Sequence, residues 1–256
     1  MIKSKKLSKY KNINHIFFNK LGGTSSGIYK SLNCGLGSSD KKKNVLKNLK
    51  IVRKKIGKNI KKIILTHQIH SNRFNFISKS SSLKKKFIGD ALITDLINTP
   101  IGILTADCVP ILVYDINKNT IAAIHAGWKG AYKGIIRKVI NFLKKRGSKT
   151  KDIIAVIGPC ISFENYEVKK DFQNKFLKKN RKNKIFFKIR KNKIYFDLNK
   201  FVYSELKMLK IKNIDIIQKD TFQIKNNFFS ARRSIKLKQN DYGRNISIIM
   251  INKVFK

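Results

Sequence analysis

The sequence predicts an α+β fold, a layered sandwich of mixed β-sheets flanked by helices. Short apolar runs typical of strands and longer segments with helical period are mixed without strict β–α alternation. No Gly-x-Gly-x-x-Gly motif follows a predicted strand, which argues against a dinucleotide-binding fold. The 256 residues contain no linker rich in Gly, Ser or Pro, so we predict a single domain over residues 1–256.

Three segments repeat apolar residues with the period of a helix. The first follows Asp40, a suitable N-cap, and stops at Gly57. The second covers residues 128–146 and ends before Gly147. The third follows Asp197, which is again a suitable N-cap.

The predicted strands are short apolar runs between polar segments, at residues 63–65, 101–104, 111–114, 121–124, 153–157, 214–217 and 246–251. Two polar, Lys-rich segments, 78–86 and 178–193, predict surface loops or hairpin ends.

The net charge of +44 is carried by 49 Lys and only 9 Arg, spread along the whole chain. Lys, Ile and the 25 Asn are residues that A+T-rich codons encode, so we interpret the charge as compositional drift. Such a surface attracts RNA without sequence preference. The competing interpretation, in which the charge serves binding, makes the chain a basic RNA-associated protein.

The sequence also indicates the cellular compartment in which the protein is expected. No apolar run approaches the ~18–20 residues of a membrane span, and the basic N-terminus has no apolar segment typical of a secretory signal. The chain has three Cys, a low and odd number, which fits a reducing compartment better than a framework of disulfide bonds. We therefore expect a cytoplasmic protein with no membrane partner.

Several of the few His and Cys residues lie where a predicted strand ends and a turn begins. His125 ends one apolar run, Cys108 lies between two others, and His67 and His70 follow residues 63–65. One Cys and two His can form a three-ligand zinc site with an open fourth position. Two alternatives stay open: a metal-free Cys108–His125 pair in an amide hydrolase, and purely structural roles. On an extended strand, His67 and His70 would point to opposite faces, so only one of them can face the site.

Acidic and Arg residues give weaker signals. Asp107, next to Cys108, is a candidate for orienting a His, for binding a ribose hydroxyl, or for capping backbone N–H groups at a strand end. Arg232, Arg233 and Arg244 stand out in a chain that otherwise uses Lys, because only Arg offers a planar fork that grips phosphate. Surface salt bridges are the alternative role for these three.

Seven stretches carry a resemblance. They are HIFFNKLGGTSSGIYKSLNCGLGSSD from His15, LTHQIHSNR from Leu65, GDALITD from Gly89, TADCVPILVYD from Thr105, IAAIHAGWKG from Ile121, IGPCISFENYEV from Ile157 and FFSARRSIKLKQNDYGRNISIIMI from Phe228. In this order they resemble the YfiH family of multicopper-oxidase-like polyphenol oxidases, also described as purine nucleoside phosphorylases. The chain departs from the family pattern at Ser71, where Gly is usual, and at Lys20 and Leu49, where Arg is common.

The resemblance implies a fold similar to the catalytic domain of cytotoxic necrotizing factor toxins. It also implies a metal site, zinc with copper as the alternative, formed by His70, Cys108 and His125. The catalytic residues expected on this basis are Cys108, His125 and Asp107. The substrate- or phosphate-binding residues expected are Asn33, Arg232, Arg233 and Arg244.

The activity that the resemblance implies is phosphorolysis of adenosine, inosine and 5′-methylthioadenosine, together with deamination of adenosine. The expected partners are purine nucleosides and phosphate, with nucleic acid bound only non-specifically, in a monomer or weak homodimer. Editing of peptidoglycan precursors is a further alternative. We expect the oxidase activity attached to the family to be minor, because four His are too few for a multicopper centre.

Overall fold

The computed structural model describes residues 1–57, 60–79 and 86–253. Within them the strands are β1 (Ile13–Phe17), β2 (Thr66–His67), β3 (Phe74–Ile77), β4 (Phe87–Ile88), β5 (Ala91–Thr94), β6 (Ile101–Thr105), β7 (Val109–Asp115), β8 (Thr120–Ala126), β9 (Ile153–Ile157), β10 (Glu167–Val168), β11 (Phe187–Arg190), β12 (Lys193–Phe196), β13 (Asn213–Ile216) and β14 (Asn245–Ile251). The helices are α1 (Lys42–Ile56), α2 (Trp128–Tyr132), α3 (Ile135–Lys145), α4 (Lys170–Lys179), α5 (Leu198–Met208) and α6 (Ala231–Lys236).

A six-stranded mixed sheet forms the centre, in the order β13-β9-β7-β8-β5-β3. The two end pairs, β13 with β9 and β3 with β5, are parallel, and the inner pairs are antiparallel. Every residue of β7 and β8 is buried, because both faces of the sheet are covered. This explains why these strands are continuous apolar runs in the sequence.

Side-chain alternation along β7 divides the core into layers. Ile111 and Val113 pack with α3 and α5, whereas Leu112 and Tyr114 face a second sheet of order β1-β14-β6. The outer face of the second sheet packs against α1 through Val52 and Ile56. The layers therefore run helix, sheet, sheet, helix, and the predicted α+β sandwich of mixed sheets is confirmed.

The three predicted helices are present with altered ends. α1 begins at Lys42, and Asp40 does not cap it; its carboxylate instead accepts hydrogen bonds from Ser25 and Asn33. The second prediction becomes α2 and α3, because the chain turns at Gly134 with a φ of 83°. Asp197 caps α5 as expected, accepting the N–H of Lys200.

The strand predictions succeed for β6, β7, β8, β9, β13 and β14, whereas β5 was missed although all four of its residues are buried. Residues 63–65 hold only an isolated bridge at Ile64, and β1, β3, β5 and β11 were not predicted. In segment 178–193, β11 and β12 form a hairpin whose two turn residues, Lys191 and Asn192, both have positive φ. Residues 80–85 of the other predicted loop lie outside the described residues.

Among the described residues, no helix is long and apolar enough to cross a membrane. The three cysteines are all free thiols, with Cys34 and Cys160 buried and Cys108 half-buried.

Candidate metal centre

Three chain segments bring His70, Cys108 and His125 together. His125 lies in β8, Cys108 immediately precedes the neighbouring β7, and His70 lies in the turn after β2. Their nearest ligand atoms all lie within 4.8 Å of one another, and the Cys108 Sγ is 4.0 Å from the His70 Nε2. The sequence argument that placed His67 and His70 on one extended strand is wrong, because His70 sits in a turn with a φ of 54°.

Asp90, buried just before β5, holds this cluster in place. Its carboxylate accepts the Nδ1–H of His125 at 2.8 Å, the backbone N–H of His70 at 3.0 Å, and both the N–H and the hydroxyl of Ser71. The bond to Nδ1 fixes the orientation of the His125 ring and leaves Nε2, the nitrogen on the Cys108 side, as the one that can act as a ligand. The bond to the His70 N–H stabilises the left-handed backbone there.

The ionisable groups of the cluster shift one another's pKa values. Burial acts to raise the pKa of the Cys108 thiol, but His125 and His70 outweigh it and lower that pKa to about 7. Burial acts to lower the pKa of His125, yet Cys108 and Asp90 raise it overall. Burial likewise opposes ionisation of Asp90, but the bonds from His125 and Ser71 lower its pKa to about 2. Cys108 is therefore readily available as a thiolate.

Gly127 forms the floor of the cluster. A Cβ atom there would lie 2.9 Å from the Cys108 Sγ, 3.0 Å from the His70 Cδ2 and 3.5 Å from the His125 Nε2. The backbone at this position is ordinary, with a φ of −68°, so the glycine is required for space and not for conformation. The space and the His₂Cys donor set fit a zinc ion, and the soft thiolate suits copper(I) as well.

The cluster lies in the wall of a cavity of about 910 Å³. The apolar part of the lining is Leu36, Leu46, Leu49, Ile63, Leu65, Phe87 and Leu104. The cationic part is Lys50, Arg53, Lys61, Lys62, Lys86 and Arg244. No Asp or Glu occurs among the described residues that line it. Gln68 lies against β6, where its amide bonds both the N–H and the C=O of Leu104.

Asp107 is close to the metal cluster in sequence but does not line the cavity. Its φ is 82°, and its buried carboxylate accepts hydrogen bonds from the Thr221 hydroxyl at 2.7 Å and the Arg232 N–H at 2.6 Å. Burial raises the pKa of this carboxyl. Arg232 itself donates to the Glu167 carbonyl, and its guanidinium lies over the Tyr166 ring. These contacts fix the backbone that presents Cys108.

Of the other residues predicted to bind an anion, Arg244 lines the cavity, whereas Asn33 and Arg233 do not. Arg244 lines the cavity, and its stem packs on Gly35, where a Cβ would lie 2.4 Å from the Arg244 Cδ. Asn33 lies behind it, fully buried, and accepts the Arg244 N–H. Arg233 is turned away from the cavity, because its guanidinium donates to the carbonyls of Thr221, Phe222 and Phe228.

The sequence assigned no role to Ser71 or Gly127 and did not indicate that Asp90 orients His125. The signal for Asp90 was available, because it is one of four acids within 26 residues of a chain that has only 14. Gly127 shows no signal of its own, since its role depends on a close approach that only the fold creates.

The sequence of this chain is similar to a known protein family and to a named bacterial protein. Residues 14–252 match the profile of the family described as multi-copper polyphenol oxidoreductase laccase. A Bacteroides thetaiotaomicron protein named purine nucleoside phosphorylase is 32% identical over an alignment that covers 99% of this chain and 97% of that protein.

Two solved structures have closely similar folds. The Bacillus licheniformis protein YfiH has a TM-score of 0.84 at 28% identity, with 94% of this chain and 93% of that chain covered. The Neisseria meningitidis protein NMB0706 has a TM-score of 0.83 at 27% identity, with 95% and 96% covered. The family match over nearly the whole chain and these similarities together show that the chain belongs to the YfiH family of multi-copper polyphenol oxidoreductase laccases.

Proposed function

We propose that the chain is a zinc-dependent purine nucleoside phosphorylase, with residues 1–256 acting as one catalytic domain. The observation that carries the proposal is the His70, Cys108 and His125 donor set in the wall of a cavity large enough for a nucleoside. The purine nucleoside phosphorylase name of the Bacteroides relative supports the same assignment. We propose adenosine, inosine and 5′-methylthioadenosine as substrates, with deamination of adenosine as a second activity.

Phosphorolysis breaks the bond between the ribose C1′ and the purine nitrogen. The purine leaves with the electron pair and takes up a proton, while a phosphate oxygen bonds to C1′. Bound zinc would supply a Lewis acid at His70, Cys108 and His125. The protein's own contribution is positioning, because Asp90 orients His125 and the contacts of Asp107 hold the backbone before Cys108.

Phosphate needs a cation near the reacting carbon, and Arg244 is the residue that we assign to it. Arg244 lines the cavity, and Gly35 and Asn33 fix its stem and backbone. The apolar lining residues, such as Leu49, Leu65 and Phe87, offer a surface for the purine ring.

Product analysis tests the proposal. Purified zinc-loaded protein is incubated with adenosine, with and without phosphate, and products are separated by chromatography. We expect adenine and ribose 1-phosphate only with phosphate, inosine and ammonia without it, and neither from a Cys108→Ala variant. Intact adenosine under both conditions would reject the proposal.

A metal-free amide hydrolase is the second candidate, favoured by the lowered pKa of Cys108 and the nearby imidazoles. Removing metal with a chelator separates the two. The phosphorylase loses activity and regains it with zinc, whereas a thiol hydrolase keeps its activity and loses it to iodoacetamide. Activity on peptidoglycan precursors or tight, specific RNA binding would favour the remaining alternatives.

A further inference from the structure

One face of α1 forms a wall of the cavity. Leu46, Leu49, Lys50 and Arg53 all line it, and their spacing of three and four residues places them on the same side of the helix. The two leucines come first and the two cations follow toward the end of the helix. A ligand lying along this wall therefore meets an apolar surface and then positive charge.

Arg53 is anchored in this wall. Its Nη1 donates to the Lys61 carbonyl at 2.7 Å, which ties the end of α1 to the segment that follows. Among the described residues, none accepts a hydrogen bond from the other guanidinium N–H groups of Arg53. Arg53 is also one of only nine Arg in a chain that otherwise uses Lys, and a guanidinium offers the fork that matches a phosphoryl group.

Lys50, Arg53 and Lys61, which we call the outer cation group, are distinct from Arg244. Lys50 and Lys61 are exposed and Arg53 is half-buried, whereas His125 is buried. No carboxylate among the described lining residues neutralises these charges. The cavity volume of about 910 Å³ is near the upper end of small-molecule sites, so a nucleoside and a phosphate leave room beside them.

We propose that the outer cation group binds the phosphoryl group of a phosphorylated purine nucleoside, so that a nucleoside 5′-monophosphate is preferred over the nucleoside. This inference rests on the phosphorolysis proposed above and uses the same bond changes. The C1′–N bond breaks, the purine takes up a proton, and the incoming phosphate bonds to C1′. The sugar product then carries two phosphoryl groups.

The experiment compares adenosine 5′-monophosphate with adenosine and 5′-methylthioadenosine, whose 5′ substituent is neutral. Phosphate-dependent release of adenine is measured with the zinc-loaded full chain. We expect kcat/KM for the monophosphate to exceed that for either neutral nucleoside by about tenfold or more. Equal or lower kcat/KM for the monophosphate would overturn the proposal.

Charge-removing variants locate the effect. Lys50→Gln, Arg53→Gln and their combination should reduce kcat/KM for the monophosphate by about tenfold, and for adenosine by less than about twofold. The matched control is Lys207→Gln on α5, an exposed residue that does not line the cavity, and it should change neither. If Arg53→Gln lowers the melting temperature, Lys50→Gln alone decides, because Lys50 is exposed.

Further measurements distinguish failure of the proposed phosphoryl site from failure of the proposed phosphorolysis. A higher phosphate KM with adenosine in the variants would mean that the group binds the co-substrate, and it would overturn the proposal. Calorimetric binding of the monophosphate decides the matter even if no nucleoside is cleaved: binding that is lost in the Lys50/Arg53 variant supports the site while the proposed function fails. Tighter binding of a short RNA than of the monophosphate, lost in the same variant, would identify RNA as the ligand instead.

Discussion

At the scale of single residues, Gly127 offers the sharpest test of the metal centre. Its backbone tolerates alanine, but the added Cβ would lie 2.9 Å from the Cys108 Sγ. We expect Gly127→Ala to fold normally and to bind several-fold less zinc per chain, as measured by elemental analysis beside thermal unfolding. Gly37→Ala is the matched control, because Gly37 also lines the cavity and has open space around it. Full zinc occupancy in Gly127→Ala would contradict the proposed metal site.

The Arg residues near the C-terminus separate binding from stability. Arg244→Gln should raise the KM for phosphate by about tenfold, because Arg244 lines the cavity. It should lower the free energy of unfolding less than Arg233→Gln does, because its guanidinium donates to one backbone carbonyl, that of Tyr242, and pairs with Asp241 at 3.5 Å. Arg233→Gln should instead lower the free energy of unfolding by roughly 1.5–3 kcal/mol, because three backbone carbonyls lose a charged donor. Phosphate kinetics and urea denaturation measure the two effects. A phosphate defect confined to Arg233→Gln would reverse the assignment.

At the scale of secondary-structure elements, His15 makes β1 sensitive to acid. It is buried, and its Nε2 accepts the Ser4 N–H at 2.8 Å. Burial first, and Lys3 second, lower its pKa from 6.5 to about 4. The folded state therefore binds this proton less readily than the unfolded state does. The corresponding stability is complete above pH 6.5 and is lost as the pH falls toward 4, by roughly 3 kcal/mol.

Urea denaturation at pH 7, 5.5 and 4 measures this loss, and His15→Gln provides the reference because its amide oxygen can still accept from Ser4. The wild-type chain should lose more stability than the variant over this range, since other acid-sensitive groups are common to both. Parallel curves for the two proteins would show that His15 does not carry the effect.

The elements also show which parts of the fold were accessible from sequence. β7, β8 and β9 were predicted because both faces of the central sheet are buried, so their residues are uniformly apolar. β11 was missed because Lys188 and Arg190 interrupt its apolar run, and only Phe187 of its four residues is buried. The pairing of His70 with Cys108 depends on the turn that Asp90 holds, and spacing along the chain does not encode such a contact. The resemblance supplied that pairing; periodicity did not.

At the scale of the whole molecule, the 14 Asp and Glu residues offset only a small part of the positive charge of the 58 Lys and Arg residues. Asp90, Asp107 and Asp220 accept hydrogen bonds from backbone N–H groups and from side chains other than Lys, and none of the three forms an ion pair with a Lys among the described residues. With a net charge of +44, the protein surface therefore remains strongly positive. The field of such a surface acts on any polyanion, whatever the catalytic site does.

RNA binding should consequently be strong at low salt and should weaken steeply between about 50 and 200 mM, because each neutralised phosphate releases counterions. The proposed deamination of adenosine, measured without phosphate, should change far less over the same range, since a neutral nucleoside is not steered by charge. Filter binding with several unrelated RNA sequences and a deamination assay in the same buffers measure both. Cys108→Ala should abolish deamination and leave RNA binding unchanged, because the thiol contributes nothing to the surface field. Nanomolar, salt-resistant binding to one sequence would show instead that the positive charge serves specific RNA recognition.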